Sequence, residues 1–337
     1  MFTADVNCTE IMGILIALKD WLKPALPPDP AVQRALDRAC IVVEPMLNTV
    51  PGLEKKLSAP IQRTLAHCQQ LVAELPGPVE VDRQAFAKSP LVHALFSTSE
   101  DIAQMLGKSQ SVRDYLIEES SEGSDFFYAM LAARPQVKKT LGVAYNGDVL
   151  QADAAIEYLF FSDHVLVEPA LTLETAMEKL RQTALDSLLK NFHSRLKTLR
   201  EKRQTLRETR DLERDRIGVL RGQGKMQEVE TYTRHFKELE NQLRDNINAM
   251  LPERLVDELA DFLSAPEKAL HLEDVSISVN RSGVVANSDN VGDALIFKRI
   301  NGRDRRRYIG LLVKIRREDA VEAVAQMEVK KQRYLLF

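Results

Sequence analysis

The sequence predicts a mainly α protein made of a multi-helix N-terminal domain, a long antiparallel coiled-coil hairpin, and a small C-terminal α+β module with a β-hairpin. Three observations predict it. Apolar residues recur at helical spacing through the first part of the chain, cut by Pro-Gly breaks. Two 4-3 apolar series flank a short Gly-containing loop near residue 222. Beyond residue 270 the period changes to two. The expected divisions are 1–168, 169–270 and 271–337. A hydrophobic fraction of 45% with 28% charged residues excludes a disordered chain and a collagen-like fibre.

In the first division Asp29-Pro30 reads as a helix start, with Asp as N-cap and Pro at the first helical position. Pro51-Gly52 breaks the chain. Leu57, Ile61, Leu65, Leu71 and Leu75 then mark a helix, with Pro60 expected to force a restart near Ile61. Pro76-Gly77-Pro78 stops it. Ser111 to Asp114 ahead of Tyr115 resembles a capping box. Tyr158 to Val167 is too short to assign between a hairpin and a buried helix end.

The hairpin gives the clearest periodicity. One series runs Phe192, Leu196, Leu199, Arg203, Leu206, Arg210, Glu213, Ile217, Leu220; the other runs Val229, Tyr232, Phe236, Leu239, Leu243, Asn246, Met250. The first helix is expected to begin near Thr172. Arg203, Arg210 and Glu213 stand at apolar positions, either because the tip projects into solvent or because the seam awaits a partner helix or a second copy. Leu251-Pro252 ends the second helix, and Leu255, Val256, Leu259, Phe262 and Leu263 predict another. In the last division Val275, Ile277 and Val279 alternate as a half-buried strand. Asp293 to Ile300 and Arg306 to Ile315 flank Asn301-Gly302, a favoured hairpin pair. A helix follows from Glu318 to Arg333.

Net charge is only -3, but it is unevenly spread. Residues 1–168 hold 14 basic and 22 acidic residues, net -8; 169–270 hold 19 and 18, net +1; 271–337 hold 13 and 9, net +4. Ten residues of the terminal ribbon form the candidate polyanion or nucleic-acid site: Lys298, Arg299, Arg303, Arg305, Arg306, Arg307, Tyr308, Lys314, Arg316 and Arg317. Guanidinium and ammonium groups would contact phosphates, and Tyr308 could stack on a base. The opposing reading is pairing with acids of the same chain. The helix from Lys190 to Lys225 is also basic, with 12 Lys/Arg against five acids. It reads mainly as a solvated helix with i,i+4 pairs such as Lys197 with Glu201.

Signatures of catalysis are not found. Gly107-Lys108-Ser109 lacks the leading glycine of a phosphate loop. None of the six histidines has metal-ligand spacing, and Asp163-His164 is a weak acid–base pair because adjacent residues diverge. Cys8, Cys40 and Cys68 lack paired spacing and are expected as small buried thiols. No cofactor or metal is expected. The apolar run Ile11 to Leu18 is too short to span a bilayer. The amphipathic set Ile11, Ile14, Leu15, Leu18, Trp21 and Leu22 is expected to pack into a helical core rather than lie on a membrane. The expectation is therefore a non-enzymatic cytoplasmic scaffold or adaptor that associates with a protein partner or itself through the coiled coil. The alternative is a nucleic-acid-binding protein acting through the β-hairpin 298–317.

Overall fold

The computed structural model describes residues 29–118, 123–146, 149–279, 285, 293–302 and 307–335. It corrects the expected fold class. A six-stranded sheet stands between helical layers, and two of its strands lie within the division expected to be a multi-helix domain. These are β2 (Phe126–Asn146) and β3 (Val149–Ala170), preceded by the two-residue β1 (Val79–Glu80). From the C-terminal part come β4 (His271–Val279), β5 (Asp293–Asn301) and β6 (Tyr308–Arg316). The order is β3-β2-β6-β5-β4, with antiparallel neighbours, and β1 pairs parallel to β6. β6 lies against Phe126 to Ala133 of β2 from Arg316 back to Ile309. The C-terminal strands thus complete a sheet begun in the N-terminal half.

Sheet and helices bury each other in layers. Phe127, Leu131, Leu311 and Val313 face four short helices: α3 (Arg83–Lys88), α4 (Pro90–Leu95), α5 (Ser99–Lys108) and α6 (Gln110–Ile117). Their starts are written in the chain. Asp82 accepts from the Ala85 N–H at 2.6 Å, Thr98 and Asp101 form a capping box, and Ser109 accepts from Val112. The cap before Tyr115 is therefore Ser109, one turn-start earlier than the expected Ser111. The last helix, α10 (Arg317–Leu335), packs Ala320 and Ala323 on the same face. It crosses α5 so closely that a Cβ on Gly107 would lie 2.6 Å from the Ala323 carbonyl oxygen.

The other face carries a helical bundle. It comprises α1 (Pro30–Val43), α2 (Leu53–Ala73), the first half of α7 (Leu173–Gly222) and α9 (Pro252–Ser264). Leu57, Ile61, Leu188, Phe192 and Leu259 are at its centre. Val72, Leu75 and Leu180 meet Leu312, on the reverse side of β6, and join bundle to sheet. Helix α2 continues through Pro60, so the expected restart does not occur. Burial of Leu57 and Ile61 on either side outweighs the lost backbone hydrogen bond.

Beyond the bundle, α7 runs on and α8 (Met226–Ala249) returns beside it, as the 4-3 series predicts. Thr172 caps α7 by accepting from the Thr175 N–H at 3.2 Å. Two small apolar clusters hold the hairpin: Leu206 with Leu239 and Leu243, then Ile217 and Leu220 with Val229.

Cys40 and Cys68 are buried on α1 and α2; Cys8 lies outside the described residues. Burial pushes the Cys68 thiol up to about 12 and raises that of Cys40. In a Cys8→Ser variant at pH 8, neither thiol should react with Ellman's reagent until denaturant is added. Prompt release of chromophore from the native protein would contradict this burial.

Candidate functional site

The basic ribbon is divided by the geometry of its strands. Lys298 opposes Gly310 and Arg299 opposes Ile309, so the two side chains leave opposite faces of the sheet. Lys298 pairs with Asp274 at 2.9 Å, and Arg299 with Glu273 at 3.3 Å. Asn301 and Arg299 hold the Glu273 carboxyl below its usual range, and the bond to Asp274 raises Lys298. At the far end of β6, Lys314 lies 3.8 Å from the Phe126 ring centre and Arg316 is 3.4 Å from Asp82. Arg317 opens α10 with its Nε buried. Arg307 is exposed and Tyr308 half-buried; Arg303, Arg305 and Arg306 lie outside the described residues, as does the expected helix around Trp21. Among the described residues, strand alternation and in-chain acids thus divide the charges of Lys298, Arg299 and Arg316.

The polar seam residues are spread along α7 and find different partners. Arg210 bonds Asp211 at 2.7 Å. Glu213 is largely buried, 3.3 Å from His235 of α8, with its Oε2 buried and without a hydrogen-bond partner. Asn246, also buried, donates to the Leu199 carbonyl at 3.2 Å. Arg203 is half-buried between the bundle and the first hairpin cluster. The Glu213–His235 and Asn246–Leu199 contacts link the two helices where apolar contacts thin out.

The seam series overlooked the outer side of α7. Leu212 is 71% exposed and Val219 59%, and they stand seven positions apart. At about 100° per residue, both point well away from the α8 seam. The seven-residue interval is itself visible in the sequence.

His164 lines a groove of about 710 Å³ with Asp101, Lys108 and Phe161. Its Nε2 is 2.7 Å from the Leu95 carbonyl and its ring stacks on Phe96, centroids 4.7 Å apart. The adjacent Asp163 turns to Arg134, 3.7 Å away. The backbone bond and the diverging carboxylate give His164 a fixing role between β3 and α4. Burial pulls its imidazole below the ordinary 6.5. The folded protein then takes this proton at lower pH than the unfolded chain does. Stability is full above pH 6.5 and falls as the pH drops below it toward the folded value. Denaturant midpoints measured through that window should decline less steeply in His164→Gln than in the wild type. Parallel pH curves would refute the assignment.

Among the described residues no three of His, Cys, Asp and Glu converge as a metal site, and no helix is long and apolar enough to cross a membrane. Comparisons of the chain with protein-family models, curated proteins and solved structures find no match.

Proposed function

We propose that the protein is a scaffold or adaptor whose α7–α8 hairpin docks a protein partner. The observation that carries this reading is the heptad-spaced pair Leu212 and Val219, exposed on a helix otherwise clothed in charge. Such a pair in water is unfavourable, and a partner helix covering it would recover about 1.5–3 kcal/mol per buried side chain before the costs of association. Glu208 and Asp215 flank the pair on the same side of α7. The matching partner is a helix with apolar residues at heptad spacing and Lys or Arg beside them.

A photo-reactive residue at position 212 tests this in living cells. It should yield a discrete protein crosslink, lost when Val219 becomes Asp, whereas the same residue at exposed position 230 of α8 should not. No crosslink at 212, or equal capture at both positions, would sink the proposal.

A further inference from the structure

The other side of α7 has a different chemistry. Arg200, Arg207, Arg214 and Arg221 recur at seven-residue intervals, and Arg203 and Arg210 lie between the first three turns of that ladder. At about 100° per residue all six side chains fall within an arc of about 80°, roughly opposite Leu212 and Val219. From 200 to 221 the arc's only other member is Gly218; no carboxylate of α7 enters it. The row is about 31 Å long at 1.5 Å per residue.

We infer that this arginine row binds the phosphodiester backbone of double-stranded nucleic acid. Every cation in it is Arg, whose planar fork takes phosphate oxygens in pairs. The row matches the axial length of about nine base pairs, at 3.4 Å per charge on each strand. It lies on a hairpin that leaves the bundle, so an extended polymer can run alongside. Its own chain pairs only half of the row. Arg200 is held by Glu44, Arg210 by Asp211 at 2.7 Å, and Arg214 reaches Asp215 only at 4.0 Å. Arg203, Arg207 and Arg221 have no ion pair among the described residues. The inference differs from the expectation for the β-ribbon, whose Lys298, Arg299 and Arg316 are matched by Asp274, Glu273 and Asp82. It also uses the side of α7 away from the proposed protein contact, so one hairpin presents two surfaces.

The test is fluorescence anisotropy of the full chain with a labelled 20-base-pair DNA duplex, titrated from 50 to 200 mM salt. Up to six phosphate contacts predict a log–log salt slope near -5, a loss of about 10³ in affinity over that range. Arg203→Gln/Arg207→Gln/Arg221→Gln should bind at least tenfold more weakly and flatten the slope by about 2.7. Arg207→Gln/Arg221→Gln touches only exposed positions and should flatten it by about 1.8, which guards against a seam defect at Arg203. Leu212→Asp should bind DNA as the wild type does. No binding at 50 mM salt, slopes unchanged in both variants, or displacement of the duplex by polyglutamate at equal charge would each overturn the inference.

Discussion

Cutting the chain between Leu270 and His271 is expected to leave two pieces that do not fold alone. β6 comes from the second piece and is held by β2 and β1 of the first. Ile309, Leu311, Val313 and Ile315 of β6 are each 1% exposed or less and belong to the same core as Phe127 and Leu131. At about 1.5–3 kcal/mol apiece, these four side chains contribute about 6–12 kcal/mol, comparable with the whole stability of an ordinary domain. The first piece would also lose α10 and expose the sheet face of α5. Near-ultraviolet circular dichroism and thermal scans of each fragment should show no cooperative transition. Mixing the fragments should restore one, because the pairing surfaces are complementary. A sharp transition in isolated 271–337 would mean that its core is self-sufficient and that the β2–β6 contact is an ordinary docking interface.

Gly77→Ala is expected to be the most damaging single methyl addition. Gly77 has φ +118, and a Cβ there would lie 2.3 Å from the Leu312 carbonyl oxygen. The same strand contact carries the hydrogen bond from the Leu312 N–H to the Pro76 carbonyl, 2.7 Å long. Relief would require the α2–β1 connection to withdraw from β6. The left-handed backbone costs about 1–2 kcal/mol for an L side chain, and the overlap about 1–3 more. Urea midpoints should therefore fall by the equivalent of about 2–5 kcal/mol. Gly52→Ala is the control: its φ is +74, but no atom lies within 4 Å of the added carbon. It should lose only the backbone share. Equal losses in the two variants would show that the close approach at Leu312 relaxes freely.

These two experiments turn on the part of the fold that the sequence concealed. β2 is buried by helices on both sides of its first half, so Phe127, Ala129, Leu131 and Ala133 alternate with Met130 and Ala132 rather than with charges. The polar half of a period-two pattern is missing, and the run resembles an apolar helix. Register shifts at Tyr128/Met130, Ala132/Arg134 and Gly142/Ala144 reset the phase again, and Pro135 sits inside the strand. In β3 the left-handed residues Asp163 and Glu168 do the same. The hairpin was legible because no layer covers it: solvent on the outside and a single seam inside keep its heptads clean. The basic ribbon was legible as composition, but the in-chain partners of its described residues were not. Strand alternation already sets Lys298 and Arg299 on opposite faces, but sequence spacing cannot show that Asp274 and Glu273 wait on the neighbouring strand.

Helix α7 has one further consequence. Its 50 residues form a continuous rod whose root packs between bundle and sheet and whose tip lies about 45 Å beyond Phe192. A rod of that length is a lever. Tilting it by about 5° at Phe192 sweeps the tip through about 4 Å, while side chains at the pivot shift by a fraction of an ångström. Close-packed interiors resist even small displacements, so torque applied at the tip is felt at Leu180, Leu312 and the strands behind them. A load on the hairpin is thereby transmitted, with mechanical gain, to the centre of the sheet.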